Sequence, residues 1–371
     1  MKDQVNENSK KILKDSAVAF GCVNCGNQLS YDPESGKLFC RYCKTYEEFE
    51  VIETEAPEYV YYPETDDFSA PSWDDDGLVP FTCPSCGAEI LVSPSAITTK
   101  CPYCEGNYVT KLEDDVPYIK PETLIPFRIS EQKANELYLN WAKRRFWAPR
   151  KFKKDPAKSD ALSGTYLPFW TFDTDLTTDF SGFGGRKRLV TYTTRENGKT
   201  VTKTKTVIDW YPVGGTKSEL FDDVPCCATA RVDRDLLKKL GSFSMKTLNV
   251  YNPAFLAGFF AERYSIGLKE GFESIVGVVH RQMENLIERE LGYDTYRGMH
   301  YSHRFNSVKF KHILLPVWMS AYKYKDKIYN FMVNGETGRV AGRSPVSALK
   351  VTLFALGCAA IAAFFLWIMS R

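Results

Sequence analysis

The stretch Cys22-Val23-Asn24-Cys25 with Cys40-Arg41-Tyr42-Cys43 sets the organisation of the first hundred residues, because Cys83-Pro84-Ser85-Cys86 with Cys101-Pro102-Tyr103-Cys104 repeats it. In both tetrads 14 residues separate the two cysteine pairs, and each cysteine of the second tetrad follows its counterpart by 61 residues. Equal dimensions in two places indicate that this part of the chain is an internal duplication.

The spacing of the cysteines predicts two zinc sites. A gap of two residues lets both sulfurs of a tight turn face one ion, and two such turns complete a tetrahedron of thiolates. Gly26 and Gly87 follow the second cysteine of their turns, where a residue without a side chain is favoured. Four thiolates leave no position for water or substrate, so both ions are expected to be structural. The predicted ligands are Cys22, Cys25, Cys40 and Cys43 for one Zn²⁺ and Cys83, Cys86, Cys101 and Cys104 for the other.

Disulfide bonds and thiol redox catalysis are the other interpretations of these cysteines. Disulfides require an oxidising compartment, but the N-terminus MKDQVNENSKKILKD lacks the apolar core of a secretory signal. Redox catalysis uses one Cys-x-x-Cys pair beside a βαβ pattern instead of two matched tetrads. Reduced, metal-binding cysteines in a cytoplasmic domain are therefore predicted.

Charge is distributed unevenly along the chain. Residues 1–116 carry 9 Lys and Arg against 22 Asp and Glu, a net charge of −13, whereas the remaining residues sum to +15. Proteins that bind nucleic acid draw much of their affinity from Lys and Arg side chains that neutralise phosphates. The acidic N-terminal region is thus better suited to a protein partner than to DNA.

The C-terminal stretch Val351–Met369 contains no charged residue. As a helix it is about 28 Å long, close to the roughly 30 Å hydrocarbon thickness of a bilayer. A buried soluble helix is the alternative, but apolar residues surround the whole circumference. Arg339, Arg343 and Lys350 precede the stretch and Arg371 alone follows it. The positive-inside rule therefore predicts a single-pass tail anchor in the cell membrane, with the N-terminal bulk in the cytoplasm.

The predicted fold class is α+β, with two N-terminal zinc ribbons, a mixed domain containing an antiparallel sheet, and one C-terminal transmembrane helix. Ser130 is an N-cap for a helix, and apolar residues at helical spacing predict a longer helix over Leu268–Leu291. Asn197-Gly198 predicts the turn of a hairpin over 186–208, which has two polar faces and is expected to project from the body. The predicted boundaries are 1–18 for a polar lead, 19–45 for ribbon 1, 46–79 for an acidic linker, 80–116 for ribbon 2, 117–345 for the α+β domain and 350–370 for the anchor.

A short motif occurs twice in the α+β domain, as Leu167-Pro168-Phe169-Trp170 and Leu315-Pro316-Val317-Trp318. Each copy follows a helical pattern and lies in an apolar strand. The repetition predicts that the domain contains two related halves.

A basic and aromatic stretch, 143–154, follows the first helix of the domain. Seven of its twelve residues are basic and three are aromatic. Two interpretations remain open: contact with anionic lipid or nucleic acid, or a solvated helix end with Trp147 buried and the cations near the negative end of the helix dipole. The membrane anchor in the same chain favours lipid over DNA. The candidate contact residues are Lys143, Arg144, Arg145, Arg150 and Lys151.

The sequence lacks the motifs of common enzyme classes. It contains no G-x-x-x-x-G-K-[ST] phosphate loop, no G-x-S-x-G nucleophile elbow and no H-E-x-x-H zinc motif. His300 and His303 lie three apart in a loop or strand, where they need not share a face, and Cys226-Cys227 is interpreted as a buried reduced pair. The chain is expected to have no catalytic activity and no small-molecule substrate.

The arrangement resembles a family of bacterial membrane proteins with zinc ribbons of the TFIIB type, over nearly the whole chain. Members are often labelled relatives of the primosomal helicase PriA, but this chain has no ATP-binding motif, so the resemblance does not imply a helicase. It implies a recruiting or anchoring role beside flotillin-like or phage-shock-type membrane proteins. The matching features are Cys22-Val23-Asn24-Cys25-Gly26, Cys83-Pro84-Ser85-Cys86-Gly87, Leu167-Pro168-Phe169-Trp170, Ala261-Glu262-Arg263-Tyr264, Leu315-Pro316-Val317-Trp318, Val333-Asn334-Gly335-Glu336-Thr337-Gly338 and the terminal apolar stretch.

Two functions are consistent with these patterns. The first is a membrane-anchored cytoplasmic zinc-ribbon scaffold or adaptor that recruits protein partners to the membrane. The alternative is a nucleic-acid-binding zinc-ribbon protein, related to replication or transcription and tethered to the membrane. That alternative would use Lys143–Lys154 and the projecting hairpin.

Overall fold

The computed structural model describes residues 20–51, 57–73, 79–92, 101–104, 110–111, 118–149, 152, 162–196, 199–324 and 327–369. Several predicted features lie outside these residues. They are the polar lead 1–18, the turn Asn197-Gly198, and the side chains of Arg150 and Lys151.

Within the described residues the chain forms four α-helices and eighteen β-strands. The helices are α1 (Glu131–Lys143), α2 (Arg234–Leu240), α3 (Leu268–Leu291) and α4 (Ala348–Met369). The strands are β1 (Leu29–Asp32), β2 (Lys37–Cys40), β3 (Tyr46–Glu47), β4 (Tyr59–Tyr62), β5 (Asp67–Phe68), β6 (Ser72–Trp73), β7 (Val79–Thr82), β8 (Glu89–Val92), β9 (Thr110–Lys111), β10 (Tyr118–Ile119), β11 (Thr123–Leu124), β12 (Ser163–Glu196), β13 (Lys199–Cys227), β14 (Asn249–Val250), β15 (Phe260–Glu262), β16 (Thr295–Tyr324), β17 (Lys327–Asn334) and β18 (Val340–Gly342). The mixed α+β class with antiparallel strands is confirmed.

Local sequence signals account for the helix boundaries. Ser130 caps α1, since its side chain accepts a hydrogen bond from the Lys133 amide. The bounds of α3 agree with the predicted Leu268–Leu291, and its C-cap Gly292 has a φ of 66°. One stripe of α3 is buried against the sheet: Leu268, Phe272, Ile275, Val279, Met283 and Ile287. Both predicted helices are therefore confirmed.

The main sheet is organised around β12. This strand pairs antiparallel with β16 along one edge and with β13 along the other. Two short pairings are parallel, β11 with β16 and β15 with β12, which the prediction of an antiparallel sheet did not include.

The two Leu-Pro-x-Trp motifs lie side by side in the antiparallel β12/β16 pair and make equivalent contacts. Trp170 donates its indole N–H to the Ile266 carbonyl, and Trp318 donates to the Ile129 carbonyl, both at 2.9 Å. Each acceptor lies two residues before a helix begins, α3 in one case and α1 in the other. The sheet thus contains two similar units, β11-α1-β12-β13 and β15-α3-β16-β17.

The hairpin predicted over 186–208 is confirmed as the outer part of the β12/β13 pair. The pairing of β12 with β16 ends at Gly185 opposite Thr295, and beyond that point the described residues of β12 pair with β13 alone. About eleven residues per strand extend further, or roughly 35 Å at 3.3 Å per residue. We call residues 186–209 the arm.

One segment, 253–262, holds both cysteine-rich regions against the main sheet. Tyr31 of the first region donates its amide to the Ala257 carbonyl at 2.8 Å and packs its ring on Phe255. In the second region β8 pairs with β15, and Ile90 lies opposite Glu262. Each cysteine-rich region therefore shares a hydrophobic cluster with the α+β domain.

Segment 46–79, expected to be an acidic linker, contributes strands to the body where it is described. β4 pairs with β16, and β6 pairs with β10. Tyr61 and Trp73 are buried, while Glu64, Asp66 and Asp67 remain exposed. Burial of the aromatic side chains accounts for this packing, because large rings remove 150–250 Å² each from water.

Helix α4 is long and apolar enough to cross a membrane. It spans 22 residues, and none of its described side chains is buried inside the protein. A core helix of a soluble protein would instead bury one face.

Candidate metal centres and the surfaces around them

The first tetrad brings four free thiols together at one end of the β1/β2 hairpin. Its Sγ atoms all lie within 4.8 Å of one another, with 3.4 Å between Cys22 and Cys43 and 3.5 Å between Cys25 and Cys40. We call this hairpin and its cysteines, residues 20–45, ribbon 1.

The second tetrad has the same arrangement at the end of the β7/β8 hairpin. The sulfurs of Cys83 and Cys104, and those of Cys86 and Cys101, are each 3.6 Å apart, and all four lie within 4.8 Å of one another. We call the described residues of 79–111 ribbon 2.

Both donor sets fit a tetrahedral metal ion. Zinc binds thiolate at about 2.3 Å, which places neighbouring sulfurs about 3.8 Å apart at the corners of the tetrahedron. The separations in both ribbons lie close to that value. Both groups can therefore hold a metal ion, in agreement with the two predicted sites.

The backbone around the cysteines shows the duplication directly. In ribbon 1 the Gly26 amide donates to the Cys22 carbonyl at 2.8 Å, and in ribbon 2 the Gly87 amide donates to the Cys83 carbonyl at 2.7 Å. Gly26 and Gly87 have φ angles of 72° and 70°, in the left-handed region that favours glycine. The sequence prediction that both glycines allow a tight turn is confirmed.

Polar groups beside ribbon 1 contact its sulfurs. Asn27 places its side-chain amide 3.6 Å from the Cys25 Sγ, and the Thr45 hydroxyl lies 3.2 Å from the Cys43 Sγ. Donors of this kind stabilise thiolates and orient them toward a metal.

Ribbon 2 is fixed to the body through a buried carboxyl group. Tyr103 donates its hydroxyl to Glu262 Oε2, and Thr229 donates to Glu262 Oε1 at 2.7 Å. Glu262 is fully buried, with Arg231 3.9 Å away. Burial raises the pKa of Glu262 to about 7, although the two hydrogen bonds oppose the shift.

The equivalent tyrosine of ribbon 1 has the opposite environment. Tyr42 lies 61 residues before Tyr103, in the same position between two cysteines, yet it is 78% exposed whereas Tyr103 is 7% exposed. Val23, at the tip of the other turn, is 83% exposed. Ribbon 1 therefore presents two large apolar side chains to solvent beside its four cysteines. The 61-residue offset pairs these tyrosines in the sequence, but sequence reasoning missed the pairing.

A third group of side chains that could bind a metal ion lies on the sheet, away from the ribbons, and consists of carboxylates. Carboxylate oxygens of Asp173, Asp222 and Asp223 lie within 4.8 Å of one another. Lys311 already supplies a cation there, with its Nζ 3.0 Å from Asp223 and 3.1 Å from Glu58. The neighbouring charges raise the pKa of Lys311 despite its burial. This cluster is an ion-pair network that joins β4 to the main sheet.

The histidines singled out in the sequence do not meet. His303 stacks on His280 of α3 with ring centroids 3.9 Å apart, and its Nε2 lies 3.3 Å from Glu284. His300 is exposed. Cys226 is buried 2.9 Å from the Ser274 hydroxyl, and Cys227 is less buried; both are free thiols.

The basic stretch lies beside the start of α4. Lys143, Arg144 and Arg145 are exposed. Trp147, which one interpretation placed in the core, is 37% exposed and contacts Phe354 of α4, with ring centroids 5.2 Å apart.

Comparison with known proteins gives one informative match. The chain is 28% identical over 352 residues to "Uncharacterized protein YdjG" of Bacillus subtilis (strain 168), covering 92% of this chain and 94% of that protein. No family model matches the chain. No solved structure matches it either.

Proposed function

We propose that this chain is a membrane-anchored adaptor: α4 holds it in the cell membrane, and ribbon 1 recruits a protein partner on the cytoplasmic side. The two metal ions, proposed to be Zn²⁺, have a structural role, because four thiolates fill the coordination shell. The eight cysteines of ribbons 1 and 2 hold them. We propose no catalytic role.

The contrast between Tyr42 and Tyr103 is the observation that carries this proposal. At the same position of a duplicated unit, one tyrosine is buried in a contact with Glu262 and the other is exposed. In ribbon 2 this tyrosine position thus forms a contact with another part of the protein. In ribbon 1 the equivalent Tyr42 is exposed, and exposed apolar groups of this kind are typical of interaction sites.

The charge of the N-terminal region supports a protein partner. Residues 1–116 carry a net charge of −13, which disfavours nucleic acid at the ribbons. A partner with basic residues is complementary to the net charge of this N-terminal region as a whole. Flotillin-like and phage-shock-type membrane proteins are candidates through the family resemblance.

Co-purification of the full chain from detergent-solubilised membranes tests the proposal. We expect a specific partner that is lost when Val23 and Tyr42 are both changed to Ser. The matched control changes Val278 and Tyr192 to Ser, two exposed residues on α3 and the arm, and should keep the partner. If both double variants retain the same proteins as the wild type, ribbon 1 is not the recruiting surface.

The arm favours nucleic-acid binding as a second candidate function. Residues 186–209 carry seven Lys and Arg and two Asp and Glu. Binding of the full chain to a DNA duplex that weakens steeply with salt, and that is lost in the triple variant Arg195→Gln, Lys199→Gln and Lys205→Gln, would support this function. Absence of salt-dependent binding would exclude it.

A further inference from the structure

The last residue of α1 and the four residues after it are Lys143, Arg144, Arg145, Phe146 and Trp147, and we call them the collar. Phe146 and Trp147 contact the start of α4. The Ser347 amide donates to the Trp147 carbonyl at 2.9 Å. Lys350 donates its ammonium to the Phe146 carbonyl at 2.9 Å and to the Ala148 carbonyl at 2.6 Å. The collar is therefore fixed at the point where the apolar helix leaves the body.

The aromatic residues of the collar are unusual for a water-facing surface. Phe146 is 66% exposed, and Trp147 contacts Phe354, about one helical turn beyond Lys350. Aromatic residues at the ends of membrane spans lie at the level of the lipid headgroups. The contact with Phe354 places Trp147 at that level if α4 spans the bilayer.

The three cations of the collar are available for an external anion. Lys143, Arg144 and Arg145 are exposed, and among the ion pairs of the described residues none involves them. The Arg145 guanidinium lies 4.3 Å from the centre of the Trp141 ring, which orients it. Only Lys143 lies in the last turn of α1, so stabilisation of the helix dipole does not account for all three.

We infer that the collar binds anionic phospholipid headgroups, with Phe146 and Trp147 inserted at the acyl boundary. This inference rests on the proposed membrane anchoring by α4. A basic residue beside an anionic leaflet contributes roughly 1 kcal/mol, about a fivefold change in local lipid affinity. A nucleic acid explains the cations but not the exposed aromatic residues fixed beside an apolar helix.

Fluorescence quenching by brominated lipid in nanodiscs tests the inference on the full chain. The discs contain phosphatidylcholine with a tenth of phosphatidylglycerol. Two preparations are compared: in one the phosphatidylglycerol is brominated, and in the other an equal mole fraction of the phosphatidylcholine is brominated. The difference between the wild type and Trp147→Phe isolates the Trp147 signal. We expect brominated phosphatidylglycerol to quench Trp147 at least threefold more effectively than brominated phosphatidylcholine.

Two triple variants distinguish an effect of the collar cations from an effect of the total charge of the protein. Changing Lys143, Arg144 and Arg145 to Gln should abolish the preference for phosphatidylglycerol. The control, Arg195→Gln with Lys199→Gln and Lys205→Gln, removes the same charge from the arm and should keep it. Equal quenching by both lipids in the wild type, or an equal loss in both variants, would overturn the inference.

Trp367, near the end of α4, distinguishes failure of the collar from failure of the anchor. If Trp367 is quenched and Trp147 is not, α4 spans the bilayer and the collar does not reach lipid. If neither is quenched, the proposed anchoring itself is wrong. Binding of a DNA duplex to discs without phosphatidylglycerol, lost in the collar variant, would assign the cations to nucleic acid instead.

Discussion

Glu262 shows how a single buried group joins ribbon 2 to the rest of the molecule. Its carboxyl group receives hydrogen bonds from Tyr103 of ribbon 2 and Thr229 of the loop after β13. Burial raises its pKa from 4.5 to about 7, so the folded chain favours the protonated form. The stabilising effect is complete below pH 4.5 and is lost as the pH rises through 7.

Changing Glu262 to Gln should therefore alter the pH dependence of stability. The amide keeps an acceptor for Tyr103 but does not ionise, so the variant avoids a cost on the order of 3 kcal/mol near neutral pH. We expect the wild-type melting temperature to fall relative to that of the variant between pH 4.5 and 7.5, measured by circular dichroism in detergent. Parallel melting curves at every pH would show that Glu262 does not titrate in this range.

Residue-scale prediction from sequence succeeded where the signal is local. The Cys-x-x-Cys spacing and the glycine after it are visible within a few residues of sequence. All eight predicted ligands lie in the two groups that can hold a metal ion. Glu262 was missed because its partner Tyr103 lies 159 residues away. No periodicity in one sequence connects two such distant positions.

At the scale of elements, α3 offers a matched pair of glycines. A Cβ on Gly271 would lie 2.7 Å from Trp170 Cδ1, whereas a Cβ on Gly277 would meet nothing within 4 Å. Gly271 thus allows the helix to approach Trp170 of the first Leu-Pro-x-Trp motif closely, and Gly277 has no such role.

Changing Gly271 to Ala should destabilise the protein by about 1–3 kcal/mol, because the buried indole must move. Changing Gly277 to Ala should stabilise it by up to about 1 kcal/mol through helix propensity. Chemical unfolding followed by tryptophan fluorescence measures both. Equal changes in the two variants would mean that the close packing of α3 on Trp170 is incorrect.

Helices were easier to predict than strands. The apolar stripe of Leu268–Leu291 and the cap at Ser130 are contained within their own segments. The extent of β12, 34 residues, depends on pairing with β13, β15 and β16, which are distant in sequence. For the same reason the aromatic residues of 46–79 did not predict that β4 joins the main sheet.

At the scale of the whole molecule, the proposed membrane anchoring depends on α4. Removing residues 350–371 should release the chain from membranes into the soluble fraction, because α4 contains the only stretch among the described residues that is long and apolar enough to span. Fractionation with a carbonate wash measures this. A truncated chain that remains in the washed pellet would contradict anchoring by α4.

The architecture around the ribbons was only partly predictable. The sequence indicated two metal-binding units, an α+β domain and an apolar terminal helix as successive parts. It did not indicate that segment 253–262 holds both ribbons. Phe255 and Ala257 contact Tyr31 of ribbon 1, but no sequence motif around them predicts this contact. Docking of this kind depends on surface shape, which appears only after the chain has folded.

The metal content of the purified protein is the most direct test of the proposal. Elemental analysis of the full chain purified from membranes under reducing conditions should give two Zn²⁺ ions per chain. Changing Cys25 to Ser should leave one ion, as should changing Cys86 to Ser, since each removes one ligand from one closed site. A wild-type chain without stoichiometric zinc, or with its thiols joined as disulfides, would contradict two structural zinc ribbons on a membrane-anchored adaptor.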